Sequence, residues 1–230
     1  MKKNKLPLFE KNLGLKFKDK DIFKQSLVHR SYLNEHPEFN LNHNERLEFL
    51  GDAVIELIIT KFLYYNFENP EGDLTSFRSS LVNTKTLAKI AKKIKIDDYL
   101  FLSKGEIKSL GRAREAILAN TFEALIGAIY FDQGFKKAEE FIKKNLIPEL
   151  KNILKNKTYK DPKSGFQEFV QDKFKITPHY DIIKESGPDH AKIFVVGLFL
   201  NKKLITQGRG KSKHDAEIQA AEKALNKKSF

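Results

Sequence analysis

Four acidic side chains recur along one short stretch of the chain at intervals that place them on one face of a helix. Within residues 44–56 the acids are Glu45, Glu48, Asp52 and Glu56, separated by three, four and four positions. At about 100° of rotation per residue they fall in a stripe about 80° wide. Carboxylates this close repel one another unless a cation compensates. A hard divalent metal ion, which prefers oxygen ligands, fits this pattern.

A solvated acidic face is the alternative interpretation, because runs of charge usually have that role. Against it, apolar residues such as Leu47, Leu50 and Val54 fill most of the remaining circumference, and the apolar run continues to Leu63. A helix with so little other polar surface is expected to be largely buried.

A second acidic element is needed, because one helix seldom supplies every ligand of a metal that also keeps waters. Residues 115–131 form another run that is apolar on nearly every side, and its interior polar side chains include Asn120 and Glu123. These two lie three positions apart, on one helical face. The alternative for Glu123 is an ion pair with Arg46 or Arg114.

The segment at residues 44–54, which reads NERLEFLGDAV, resembles the signature helix of the bacterial ribonuclease III family. Segments at residues 29–32, 71–83 and 115–132 resemble further family elements in the family's order. The resemblance spans roughly residues 8–150 and implies an all-α endonuclease domain.

The resemblance also implies roles for individual acids. Asp52 and Glu123 match the family's usual catalytic pair, and both also match metal-binding acids together with Glu48. Glu45 and Glu71 match acids near the scissile phosphate that assist a second metal ion or position the substrate.

Asn120 departs from the family pattern, which most often has Asp at this position. An amide oxygen still ligates magnesium or orients a bound water, but it carries no charge and binds more weakly. Three interpretations remain open: a natural variant that cleaves RNA, a substitution engineered to slow cleavage, and a natural RNA binder with impaired chemistry. The expected metal-binding set is Glu48, Asp52, Asn120 and Glu123.

The family's chemistry implies Mg²⁺, with Mn²⁺ as a substitute, because bound metal ions activate water and stabilise the leaving 3′ oxygen. The resemblance also implies a homodimer, which suits the chemistry, since one metal cluster cuts one strand and a two-fold axis supplies the second cluster. Phe49 matches an aromatic residue at the family's dimer interface, and a plain core position is the alternative. Family substrates are ribosomal RNA precursors and structured messages.

Two other polar residues receive structural interpretations. Glu56 is expected to be only the exposed or ion-paired end of the acidic stripe. His29 is interpreted as a packed or capping residue rather than as a general base.

The chain changes character after residue 150, where the apolar periodicity is lost before the turn-forming pair Asp161-Pro162. We therefore predict a catalytic domain at residues 1–150, a linker at 151–160 and a second domain at 161–230.

The predicted second domain has the order α-β-β-β-α. Helical spacing of apolar residues covers residues 164–174, and three short runs rich in Ile, Val, Phe or Tyr follow at 180–185, 193–200 and 203–207. A final helix is predicted at 212–226. The domain is therefore a small α+β unit.

This order resembles a double-stranded RNA-binding domain, which reads the A-form shape across two minor grooves. A Lys-Ser-Lys sequence opens the last helix, where backbone N–H groups and the helix dipole favour phosphate. A solvated basic helix start is the alternative. The residues matched to RNA contacts are Gln167, Glu168, His190, Lys211, Ser212 and Lys213.

The net charge of +12 favours a polyanionic partner. The absence of cysteine excludes disulfides and thiolate metal sites. The N-terminal residues lack the apolar stretch of a signal peptide, and no run approaches the length of a membrane span. We expect a cytoplasmic protein without a membrane partner.

The sequence thus predicts a homodimeric, magnesium-dependent endoribonuclease specific for double-stranded RNA. The main alternative is a non-cleaving double-stranded RNA-binding protein whose metal site is weakened by Asn120.

Overall fold

The chain divides into two compact units, Met1–Tyr159 and Lys160–Phe230. The computed structural model describes residues 5–108, 110–156, 159, 161–188 and 192–227.

Unit 1 is helical, as predicted. Its helices are α1 (Leu6–Leu13), α2 (Lys20–Gln25), α3 (Arg30–Glu35), α4 (Glu45–Asn66), α5 (Glu71–Leu81), α6 (Thr84–Lys93), α7 (Lys104–Ile107) and α8 (Arg112–Asn156). A short 3-10 helix, Ile96–Tyr99, follows α6.

Helices α4 and α8 form the centre of the unit 1 core. Leu47, Val54 and Ile58 of α4 are buried, as are Phe122 and Ile126 of α8. The pattern follows from the apolar periodicity of the two runs, because each helix turns an apolar face towards the other.

Helix α8 is interrupted at Gly134, whose backbone has φ 81° and ψ 177°. Only glycine adopts this conformation readily, because a Cβ would clash with the backbone. The interruption separates the N-terminal half, which packs on α4, from the C-terminal half.

The expectation that α4 is largely buried is wrong for one face. Ala53 and Glu56 are exposed, as are the large apolar side chains Phe49, Leu57 and Tyr64. The reason is geometric. Apolar residues occupy so much of the circumference of α4 that the neighbouring helices of unit 1 cover only part of it, and the face with Phe49, Leu57 and Tyr64 stays uncovered within one chain.

The expected linker at residues 151–160 is helical over its first part, since α8 continues to Asn156. Ile153 and Leu154 explain the continuation, because both are partly buried against the unit 1 core. Residues 157, 158 and 160 lie outside the described part of the chain.

Unit 2 has the predicted α-β-β-β-α order. Its elements are α9 (Pro162–Phe174), β1 (His179–Ser186), β2 (Ile193–Leu200), β3 (Lys203–Gly210) and α10 (Lys213–Asn226). The three strands form an antiparallel sheet in the order β1-β2-β3.

Caps and packing explain why unit 2 folds this way. The Asp161 carboxylate accepts a hydrogen bond from the Ser164 backbone N–H, so it caps α9. Phe166 and Val170 of α9 then pack with Leu198 of β2 and with small residues of α10, including Ala220. The helices therefore cover one face of the sheet.

Candidate active site

Helices α4 and α8 cross at very short range, and each helix has a glycine at the crossing. A Cβ on Gly51 would lie 1.8 Å from the carbonyl oxygen of Glu123, and one on Gly127 would lie 2.1 Å from that of Leu47. No side chain fits at such distances, because the opposing atoms are backbone. Asp52 follows Gly51 directly, so this contact brings it near Glu123.

Glu123 is the most strongly perturbed acid of the cluster. Burial, followed by the charges of Asp52 and Glu48, raises the pKa of Glu123 to about 7. The carboxyl group therefore retains a proton at pH values where an ordinary glutamate has lost it.

Glu48 shares this environment. Its pKa is raised by burial and by the charges of Glu45 and Asp52, while a side-chain hydrogen bond with Asn120 acts in the opposite direction. The predicted set of Glu48, Asp52, Asn120 and Glu123 is thus one interacting group of side chains.

The chemistry of this donor set fits a hard cation. All four side chains offer oxygen atoms. Burial and then the neighbouring carboxylate charges raise the pKa values of Glu48 and Glu123, and a cation would relieve the repulsion between these charges. Across the described residues, no three His, Cys, Asp or Glu side chains converge closely enough to hold a metal ion as they stand. An oxygen from Asn120 would complement the three acids.

The alternative ion pairs for Glu123 are not formed. Arg114 pairs instead with Asp97 and donates a hydrogen bond to the Glu106 carbonyl oxygen. No ion pair between Glu123 and a described residue is present, and Arg46 is exposed.

Glu45 and Glu71 have different surroundings. Glu45 begins α4 beside Arg30 and His43, each 3.7 Å from one of its carboxylate oxygens. Glu71 begins α5, is exposed, and accepts a hydrogen bond from the Thr75 hydroxyl at 3.0 Å. Glu45 contributes to the charge near Glu48, whereas Glu71 forms no hydrogen bond or ion pair with the cluster within the described part of the chain.

His29 has the capping position expected from the sequence. Its Nδ1 accepts a hydrogen bond from the Ser31 backbone N–H at the start of α3. Burial is the largest effect on the pKa of His29 and lowers it, so the neutral imidazole is favoured. The residue is therefore structural here.

The predicted RNA-contacting residues of unit 2 are mostly accessible. Gln167 and Glu168 are exposed on α9, and Lys211 and Lys213 are exposed beside the start of α10. The Ser212 hydroxyl accepts a hydrogen bond from the Asp215 backbone N–H and so caps α10. His190 lies outside the described residues.

The sequence interpretation missed the roles of Gly51 and Gly127. Their signal is present in the sequence, since Gly51 precedes one predicted acid and Gly127 follows another by four positions, on the same helical face. Glycine is unfavourable inside a helix, so its presence there indicates close packing.

Protein-family comparison matches residues 19–150 to a ribonuclease-III-like domain and residues 162–228 to the double-stranded RNA binding motif. The ribonuclease 3 of Carboxydothermus hydrogenoformans is 46% identical over 226 residues, covering 98% of this chain and 96% of that protein. The ribonuclease 3 of Borreliella burgdorferi is 44% identical over 225 residues, covering 97% and 91%.

Solved structures give the same match for unit 1. A nuclease domain of ribonuclease III from Campylobacter jejuni superposes with a TM-score of 0.54 at 37% identity, covering 61% of this chain and 95% of that one. Another structure of that domain, described for flexibility in a region involved in dimer formation, has a TM-score of 0.53 at 38% identity, covering 60% and 95%.

No helix in the described ranges of the chain is long and apolar enough to cross a membrane.

Replacing Gly127 by alanine should destabilise the protein by about 3 kcal/mol or more, because the new methyl group overpacks against backbone. Chemical denaturation followed by circular dichroism measures the change. Gly72→Ala is the matched control, since a Cβ on Gly72 in helix α5 meets nothing within 4 Å. The control should remain within about 1 kcal/mol of wild type; equal effects would contradict the close crossing.

Glu123→Gln should raise the melting temperature of the metal-free protein at about pH 8. The pKa of Glu123 is raised from 4.5 to about 7 in the folded state. Between pH 4.5 and about pH 7, unfolding therefore releases a proton, and the free energy of unfolding of the wild type falls as pH rises. Glutamine does not ionise, so the substitution removes this pH-dependent loss of stability. Thermal melts in EDTA at about pH 5.5 and pH 8 test it; an unchanged pH dependence in the variant would contradict the assignment.

Proposed function

The chain belongs to the ribonuclease III family, and from this we propose that it is an endoribonuclease that uses Mg²⁺ to hydrolyse both strands of double-stranded RNA as a homodimer. The observation that carries the proposal is the cluster of acids at the α4–α8 crossing, where burial and mutual repulsion raise the pKa of Glu123 to about 7. Such perturbed groups are typical of functional sites.

We assign Asp52 and Glu123 as the catalytic pair, with Glu48 and Asn120 completing the metal-binding set. These four side chains would hold a divalent metal ion, which would supply an activated water and positive charge to stabilise the leaving 3′ oxygen. Mn²⁺ also suits an oxygen ligand set of this kind. Glu45 and Glu71 are proposed to position the RNA or assist a second ion.

The proton on Glu123 must leave before its carboxylate can serve as a ligand, because ligands bind in their deprotonated form. Burial of Glu123, followed by the charges of Asp52 and Glu48, favours the protonated form by raising its pKa. Cation binding and deprotonation of Glu123 are therefore coupled.

Unit 2 is a double-stranded RNA-binding domain, and we propose that it holds the duplex. Lys211 and Lys213 would contact phosphates beside the N–H groups at the start of α10. Gln167, Glu168 and His190 would reach the minor groove, where the 2′-hydroxyls are displayed.

We propose ribosomal RNA precursors and structured messages as substrates, since a reader of A-form shape selects duplex rather than sequence. Because these transcripts are made and matured there, we place the reaction in the cytoplasm.

A labelled RNA duplex should be cleaved in Mg²⁺ and remain intact in EDTA. Glu123→Gln should lower the rate on the order of 100-fold, because it removes a charged ligand. Asn120→Asp should reduce the Mg²⁺ concentration needed for the half-maximal rate, since it adds a charge to the metal-binding set. Denaturing gels across a Mg²⁺ titration measure both effects.

Asn12→Asp, which adds the same charge to exposed α1, is the control and should leave the Mg²⁺ dependence unchanged. Intact RNA that nevertheless shifts on a native gel would favour the alternative of a non-cleaving binder. An unaltered Mg²⁺ requirement in Asn120→Asp would remove Asn120 from the metal-binding set.

The uncovered face of α4 supports the proposed homodimer. Phe49, Leu57 and Tyr64 are 81%, 59% and 73% exposed, and at about 100° per residue they lie within about 80° of one another. Contiguous apolar side chains on a surface mark interaction sites. We propose that this apolar stripe of Phe49, Leu57 and Tyr64 packs against a second copy of the chain.

Leu57→Asp should convert a dimer into a monomer of 26.6 kDa, because a charge would be buried in an apolar contact. Light scattering coupled to size-exclusion chromatography measures the mass. Tyr65→Asp is the matched control, because Tyr65 is 74% exposed on the same helix but lies outside the stripe. A dimeric Leu57→Asp, or a monomeric wild type, would refute this interface.

A further inference from the structure

A groove of about 530 Å³ lies in unit 1 between α1, the turn after α6 and the C-terminal half of α8. Its rim includes Lys93, Lys95 and Lys144, and its floor includes Leu13, Tyr99 and Phe141. None of the residues assigned to the metal-binding set lines it. The groove is therefore separate from the proposed active site.

The charge of this groove, called here the lysine groove, is unbalanced. No Asp or Glu lines it, whereas two other grooves of similar size include acids, such as Glu149 in one and Glu38 in the other. Within the described residues, none of the three rim lysines forms an ion pair. Lys93 lies in electrostatic range of Glu149, which already pairs with Lys89 at 2.6 Å.

The three lysines come from separate backbone positions that converge on the groove. Lys93 ends α6, and Lys95 follows in the left-handed conformation with φ 62°. Lys144 belongs to α8, far away in the sequence. Converging cations with no acid between them create a positive potential that attracts anions.

The floor of the lysine groove is apolar and closely packed. The Tyr99 ring stacks on Phe9 with a centroid distance of 4.1 Å and an interplanar angle of 10°, and Leu13 and Phe141 are buried in the core. Among the described residues, the Tyr99 hydroxyl forms no hydrogen bond. The groove thus combines apolar surface with hydrogen-bond donors, which is typical of small-molecule sites of this size.

We propose that the lysine groove binds a free nucleoside diphosphate or triphosphate, with the phosphates at Lys93, Lys95 and Lys144 and the base over the apolar floor. A phosphate chain matches the charge of three ammonium groups. The base would contact the accessible edge of Tyr99, which is 9% exposed, together with partly buried Ile94, and a purely inorganic anion would make no such contact.

Fluorescence anisotropy of ADP carrying a methylanthraniloyl group, titrated with the full-length protein in EDTA, tests the proposal. EDTA prevents the nucleotide from binding through a metal ion at the acidic cluster. We expect saturable binding that unlabelled ADP displaces. Inorganic pyrophosphate should compete about tenfold more weakly or worse, because it lacks the base.

Lys95→Gln and Lys144→Gln should each weaken binding about tenfold, whereas the control Lys136→Gln, exposed on the same helix as Lys144, should change it less than about twofold. Thermal melts confirm that each variant is folded. Absence of saturable binding up to about 1 mM protein would overturn the proposal. So would equal losses in Lys136→Gln, equal competition by pyrophosphate, or displacement by a short single-stranded RNA at lower concentration than by ADP.

Discussion

The contact between two helix backbones at Gly51 and Gly127 determines how close Glu48 and Asp52 of α4 lie to Glu123 of α8. A Cβ at either position would overlap the opposite backbone, 1.8 Å from Glu123 and 2.1 Å from Leu47. The two contacts are reciprocal, since each helix supplies one glycine and one carbonyl group. A larger residue would separate the helices and therefore separate Asp52 from Glu123.

This close crossing has an electrostatic consequence. Glu48 and Glu123 are partly buried and Asp52 is exposed beside them. Burial of Glu123, followed by the charges of Asp52 and Glu48, raises its pKa to about 7. The fold thus maintains an unfavourable charge arrangement that a divalent cation would relieve. The side-chain hydrogen bond from Asn120 acts against this rise at Glu48, where it lowers the pKa.

The sequence was sufficient for the helical and α+β units and for the grouping of Glu48 with Asp52, because both follow from periodicity along one element. It was insufficient for contacts between elements. Periodicity did not reveal that Gly51 meets α8, nor that one apolar face of α4 stays uncovered around Phe49. The first residues of the predicted linker at 151–160 belong to the end of α8, where Ile153 packs on the core.

The most direct test is anomalous diffraction from crystals of the protein soaked in Mn²⁺, because manganese can be located by its own scattering. The account predicts a peak within bonding distance of oxygen atoms from Glu48, Asp52, Asn120 and Glu123, at about 2.0–2.3 Å. A protein that cleaves duplex RNA in Mn²⁺ but shows no peak at these side chains, with manganese bound elsewhere, would contradict it.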